Sequence, residues 1–156
     1  DRLIDVHTKL IRNGKKHRFY VIGDGPLREK LEEKIKKNKV EDSFFLLGKR
    51  ENPYPYIKKA DYFCLLSQFE GYPMVLLEAK LLNKKILITD TAAREEVQNY
   101  EKATSIEYSE KGIYNGLQKI INQNKNKRKR EKEEIKKNEE NEKNLKKVIT
   151  LLEGNL

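Results

Sequence analysis

An open parallel α/β sheet of Rossmann-like type, flanked by helices, is the fold this sequence predicts, on three observations. Short apolar runs at 18–22, 43–47, 62–66, 85–88 and 103–106 alternate with stretches whose apolar residues recur at helical spacing. That alternation marks βαβ units and a parallel sheet. The runs are apolar almost throughout, as in strands covered on both faces. Gly25, Gly48 and Glu70 all fall just past strand carboxyl ends, where open α/β sheets bind their ligands.

With 156 residues the chain has room for one domain and a core of moderate size. Its net charge of +9 is unevenly spread, because residues 125–147 hold 11 Lys/Arg against 6 Asp/Glu. The single cysteine, Cys64, lies in an apolar strand and cannot form an internal disulfide, which fits a reducing cytoplasm. No apolar run approaches the ~20 residues of a membrane span, and no signal-peptide pattern opens the chain.

Residues 1–13 read as a helix through Leu3, Val6, His7, Leu10 and Ile11, with Gly14 placed to end it. His7 falls on the apolar face as a packing histidine, and His17 sits in a basic turn with no assigned task. After the strand at 18–22, Gly23-Asp24-Gly25-Pro26 turns into a helix reaching about Asn38, with Leu27, Leu31 and Ile35 inward. Arg28 occupies the third glycine position of G-x-G-x-x-G, so the loop is not a dinucleotide fingerprint. It either lines a ligand cleft or is a bare strand-to-helix turn. The strand at 43–47 ends at Gly48, and Lys49 and Arg50 then neutralise phosphate or stay as solvated charge. A turn at 52–56 leads into a short helix ending near Ala60, and Asp61 starts the strand at 62–66.

The stretch 65–82 carries most of the functional information. It reads as a strand end, a tight glycine loop and a helix starting at Pro73, a residue suited to the first helical position because its missing N–H has no partner there. First-turn amides of that helix are free to bind an anion. Glu70 lies in the loop, and Glu78 lies five residues past Pro73, roughly 7–8 Å along the axis at 1.5 Å per residue. A pyrophosphate on the helix N-terminus would leave its sugar near Glu70, with a ribose lying back toward Glu78. A carboxylate there can accept from two vicinal hydroxyls.

Beyond it, 85–88 is a strand, 89–97 a loop, 103–106 a strand and about 109–123 a helix with Ile113, Leu117, Ile120 and Ile121 inward. From 124 to 144 the only apolar side chain is Ile135, which by itself suggests a frayed solvated helix or disorder. Leu145, Val148, Ile149 and Leu152 mark a last amphipathic helix that should dock. The expected division is therefore a nucleotide-binding domain at 1–123 and a charged helical segment at 124–156. The basic run offers a peripheral contact with anionic lipid, at ~1 kcal/mol per basic residue, or is a solvated face; its interspersed acids favour the latter. No nucleic-acid-binding motif accompanies the charge.

Ser67, Glu70, Gly71, Tyr72, Pro73, Glu78 and Ala79, preceded by an apolar strand, resemble the signature of retaining GT-B glycosyltransferases of family 4, in their C-terminal nucleotide-sugar-binding domain. The Gly-Asp-Gly-Pro turn, the Phe-Leu-Leu-Gly strand end and Tyr56-x-x-x-Ala60-Asp61 match the same family, and the resemblance covers about residues 1–123. Lys85 stands in place of the family's proline, and the loop at 89–97 lacks its glycines, with Glu95 or Glu96 at the acidic position.

The resemblance implies a hexosyl transfer from an NDP-sugar, UDP-sugar favoured, to a glycan or lipid-linked acceptor in surface polysaccharide biosynthesis. It implies no cofactor and no metal. Amides of Met74 and Val75 at the Pro73 helix would stabilise the donor phosphates in place of a divalent cation. Gly25 would line the cleft, while Gly48 and Lys49 would border the nucleobase. Glu70, with the backbone of Gly71 and Tyr72, would orient the sugar hydroxyls, making it a positioning residue first and catalytic only loosely. Tyr72 either packs over the sugar or closes the loop. Glu78 would hold the ribose. In the family a strand ending in Gly-Arg and a following Lys precede the first helix, and an N-terminal domain binds the acceptor. Neither is present here, so the polypeptide alone is not expected to transfer sugar. Without the first strand, which would be central, either the chain is a fragment or the neighbouring strands close the gap. Two other readings stand: a non-catalytic nucleotide-binding or interaction module, and a GT-B nucleotide-sugar epimerase, which would need a catalytic His/Asp/Glu set in the cleft, where neither histidine sits near the glutamate-rich loop.

Overall fold

The computed structural model describes the backbone of residues 1–68 and 74–153, with side chains except those of 92, 93 and 144–153. In chain order the elements are α1 (Arg2–Arg12), β1 (Phe19–Ile22), α2 (Arg28–Asn38), β2 (Phe44–Gly48), α3 (Tyr54–Lys59) and β3 (Tyr62–Leu65). They continue as α4 (Met74–Leu81), β4 (Lys85–Thr89), a 3₁₀ helix (Ala92–Val97), β5 (Ala103–Ile106) and α5 (Glu110–Glu153). Two compact units result, residues 1–121 and 122–156.

The first unit is an α/β structure in which every strand pairing is parallel. Parallel neighbours need a crossover, and α2, α4 and the 3₁₀ helix supply these for β1–β2, β3–β4 and β4–β5. The strands do not form one sheet. β1 pairs with β2, and β3-β4-β5 form a second sheet, so β1 and β3 have not closed upon each other. Packing still unites them, because Phe19 of β1 and Tyr62 and Cys64 of β3 lie against the same cluster of Val6, Leu10, Leu87, Ile113 and Leu117.

β4 shows why the runs are continuously apolar. Ile86, Leu87 and Ile88 are all fully buried, and the two-residue period sends them to opposite faces. Leu87 joins the cluster with α1 and the start of α5, while Ile86 and Ile88 meet Leu76 and Ala79 of α4 and Val97. Under the first sheet, Ile4, Ile35, Val40 and Phe44 form a third cluster. Gly116 is required by close approach, since a Cβ there would lie 2.8 Å from Ile106 Cγ2.

One expectation changes, and one open alternative is decided. The segment at 89–97 contains a 3₁₀ helix, anchored by the Arg94 N–H donating to the Thr91 carbonyl at 2.9 Å and by the Arg94–Asp90 ion pair at 2.9 Å. The charged stretch is helical throughout, within α5. Its Lys, Arg and Glu are good helix formers, and Lys127–Glu131 and Lys129–Glu133 pair one turn apart at 3.5 and 3.7 Å. The predicted docking of Leu145, Val148, Ile149 and Leu152 concerns side chains outside those described.

Cys64 packs against the Leu87 cluster, and burial pushes its thiol up to about 12. Reactivity requires the thiolate. Cys64 should therefore resist iodoacetamide at pH 8 in the native protein and react at the rate of an ordinary cysteine after unfolding in urea, as read by mass spectrometry.

Candidate functional site

Parallel strands place all their carboxyl ends on one side of a sheet, and the loops leaving that side carry the candidate residues. At the end of the second sheet, the buried Thr89 Oγ1 donates to the Ser67 carbonyl at 2.6 Å. This ties the exit of β3 to the end of β4. Ser67 Oγ and Thr91 Oγ1 are buried there without a hydrogen-bond partner among the described residues. Glu70, Gly71, Tyr72 and Pro73 lie outside the described residues.

α4 is described from Met74 onward. Leu76 and Ala79 bury its inner face, whereas Met74 and Val75 are exposed. Both occupy the first turn, where backbone N–H groups lack an intrahelical acceptor. One turn further on, Glu78 is half-buried and accepts a hydrogen bond from the Tyr54 hydroxyl at 3.1 Å. Its carboxylate pushes the phenol of Tyr54 up in pKa, chiefly through that bond. Tyr54 opens α3, where its N–H donates to Asn52 Oδ1 at 3.1 Å. Next along α3, the Tyr56 ring lies beneath the Arg50 guanidinium at 5.9 Å. These contacts run from the exit of β2 through α3 to α4.

At the end of the first sheet, the Gly23 N–H donates to the Gly48 carbonyl at 3.0 Å. Gly48 has φ +72°, and a Cβ there would lie 3.1 Å from Arg28 Nη1, so glycine serves both the turn and the close approach. Arg28 spans the two loops. Its Nη2 donates to the Leu46 carbonyl at 3.3 Å, and its Nε pairs with Glu32 at 2.9 Å. Gly25 and Gly48 are thus carried at the same sheet end, but the Gly25 N–H is already taken by Asp24 Oδ1 at 2.9 Å. Lys49 is exposed at the start of the following loop.

Tyr54 and Arg28 are the site-region residues whose contacts the sequence reading missed. A signal existed for Arg28, which stands four residues from both Asp24 and Glu32. For Tyr54 only the turn chemistry of Asn52-Pro53 was visible. Both histidines are engaged with each other away from these loops. His7 Nδ1 lies 2.9 Å from His17 Nε2, and His7 Nε2 lies 2.9 Å from Ser43 Oγ. His17, expected to do nothing specific, thus partners the buried His7. Among the described residues, no group of His, Cys, Asp or Glu is placed to hold a metal ion, and no helix is long and apolar enough to cross a membrane.

Comparison with known proteins adds the following. Residues 1–138 match the model of the family described as Glycosyl transferases group 1. The chain is 31% identical over 111 residues to the N-acetylgalactosamine-N,N'-diacetylbacillosaminyl-diphospho-undecaprenol 4-alpha-N-acetylgalactosaminyltransferase of Campylobacter jejuni. That match takes in 69% of this chain and 30% of the relative. Over 78% of the chain the fold superposes on 25% of TarM with a TM-score of 0.70 at 18% identity. It also superposes on WaaG, a glycosyltransferase involved in lipopolysaccharide biosynthesis, with a TM-score of 0.66 at 22% identity, over 78% of this chain and 34% of that one. These likenesses agree with the Rossmann-like α/β architecture, and the chain spans about a third or less of each of these proteins.

Proposed function

We propose, starting from the fact that this chain belongs to the Glycosyl transferases group 1 family, that it is the donor-binding part of a retaining GT-B glycosyltransferase of family 4. The enzyme would transfer a hexosyl group from an NDP-sugar, UDP-sugar favoured, to a glycan or lipid-linked acceptor in surface polysaccharide biosynthesis. The relative from Campylobacter jejuni, whose name places it on an undecaprenol-linked glycan, supports that acceptor class. The observation that carries the reading is Glu78, a half-buried carboxylate one turn into α4 and held by Tyr54.

In this reading the first turn of α4, with the amides of Met74 and Val75, faces the donor diphosphate. Free helix N-terminal amides bind phosphate, and preorganised donors stabilise the charge that grows on the leaving diphosphate. No metal is needed for that role. Glu78 accepts from the ribose hydroxyls. Glu70, Gly71 and Tyr72 orient the sugar, Gly25 lines the cleft, and Gly48 and Lys49 border the base. The acceptor site would belong to another domain, and this polypeptide by itself would not transfer sugar. The engagement of His7 and His17 with each other weighs against an epimerase.

Calorimetric titration of UDP, GDP and ADP into wild type and Glu78→Ala tests the reading. One nucleotide should bind selectively. Loss of a hydrogen bond to a charged group costs about 1.5–3 kcal/mol, so Glu78→Ala should weaken that nucleotide roughly 10–150-fold. Equal binding by wild type and variant, or no selective binding at all, would sink the donor-site assignment.

A further inference from the structure

We propose that Tyr54 is a positioning residue for the donor ribose, its phenol holding the Glu78 carboxylate in the orientation that meets a vicinal diol. This inference rests on the reading of Glu78 given above. The Tyr54 hydroxyl lies 3.1 Å from Glu78 Oε1, across 24 residues of sequence. One phenol satisfies a single lone pair, and a carboxylate offers about four acceptor positions. Among the described residues no other hydrogen bond to the Glu78 carboxylate is present, so Oε2 and the second lone pair of Oε1 are open to a ligand there. Without the phenol the carboxylate would turn freely about its terminal bonds, because χ3 of a glutamate is a broad torsion.

Several contacts hold the backbone behind Tyr54. Its N–H is held by Asn52 Oδ1. Ile57, one turn later, is buried, and its N–H donates to the Pro53 carbonyl at 3.1 Å. Beyond the far end of α3, Lys84 Nζ donates to the Ala60 carbonyl at 3.0 Å. Lys84 leads directly from the turn after α4 into β4. Two polar ties, Tyr54–Glu78 and Ala60–Lys84, therefore fix α3 and the segment after it to α4 and its exit. The upward shift of the phenol keeps its hydrogen in place at neutral pH, so Tyr54 acts as donor and Glu78 as acceptor.

Tyr54 is 46% exposed. Hydrogen bonds at such a depth do little for stability, so a purely structural role would leave binding unchanged. A role through Glu78 shows up in the ribose alone.

The test uses the full chain and the nucleoside diphosphate that binds wild type most tightly, together with its 2′,3′-dideoxy form, in wild type, Tyr54→Phe, Glu78→Gln and the double variant. Tyr54→Phe should keep the wild-type melting temperature. It should weaken the ribonucleotide about three- to tenfold, leave the dideoxy form unchanged, and add little once Glu78 is replaced. Four results overturn the proposal. If Tyr54→Phe binds as wild type while Glu78→Gln is weakened, Tyr54 does not position Glu78, and the donor site stands. Equal weakening of both nucleotides means that Tyr54 acts on base or phosphate. Additive losses in the double variant mean that the two residues act separately. If wild type binds no nucleoside diphosphate, the donor-site reading falls and this inference with it.

Discussion

Leu87→Ala should lower the unfolding free energy by about 2–5 kcal/mol and the melting temperature by roughly 5–20 °C. Leu87 is fully buried in β4, the middle strand of the three-stranded sheet. Its side chain meets Val6 and Leu10 of α1 and Ile113 and Leu117 of α5. Truncation removes transfer free energy and leaves a cavity that surrounding elements fill only in part. Here collapse is opposed from the other face of the same strand, where Ile86 and Ile88 are locked against Leu76 and Ala79. Leu81→Ala is the matched control, because Leu81 is 87% exposed and such a change should stay within about 0.5 kcal/mol. Urea denaturation of the two variants makes the comparison. Near-equal midpoints would mean that Leu87 does not join α1 and α5 to the sheet.

The second large effect is acid sensitivity set by His7. The ring is fully buried between Phe19 and Phe44, with centroids 5.5 and 5.3 Å away. Its two nitrogens meet His17 and Ser43. One arrangement of hydrogens satisfies His7 and Ser43, while His17 Nδ1 is buried without a hydrogen-bond partner among the described residues. His17 donates through Nε2 to His7 Nδ1, His7 donates through Nε2 to Ser43 Oγ, and Ser43 donates to the Val40 carbonyl at 3.3 Å. Protonating His7 turns its Nδ1 into a donor, so His17 would have to present Nε2 as an acceptor. Burial first, and the neighbouring His17 second, lower its pKa to about 4. Burial also lowers that of His17.

Since the folded pKa of His7 lies below the unfolded 6.5, the unfolded chain binds more protons between the two values. Stability is fully present above pH 6.5 and falls as the pH drops toward 4. The loss is at most about 3 kcal/mol. His7→Gln keeps one donor and one acceptor but cannot titrate. Its melting temperature should fall less steeply than that of wild type between pH 6.5 and 4. Parallel profiles would assign the acid slope to other groups.

Some of this was legible in the residues. Leu3, Val6, His7 and Leu10 marked α1 and its buried face, and the apolar runs marked five strands within about one residue of their observed bounds. Glu78 was placed correctly within α4. Each of these follows from local periodicity, which a few consecutive residues suffice to express. The 3₁₀ helix at Ala92–Val97 was not legible, because its ties include the Arg94 N–H to the Thr91 carbonyl, the Arg94–Asp90 ion pair and Lys80 Nζ to the Glu96 carbonyl, none of which is a periodic apolar signal. A charged helical segment was expected after 123, but a frayed or disordered stretch stood beside it as an alternative, because a lack of apolar residues hid strong helix formers with pairs one turn apart.

By itself, the sequence determined the parallel α/β class and the order of strands and helices. Both depend on residue type and near-neighbour spacing. Only the tertiary structure decided that β1–β2 and β3-β4-β5 form separate sheets, that Tyr54 meets Glu78, and that His7 joins His17 to Ser43. The Tyr54 and Ser43 contacts reach across 24 and 36 residues. They arise from the packing of one element on another, which no local pattern along the chain encodes.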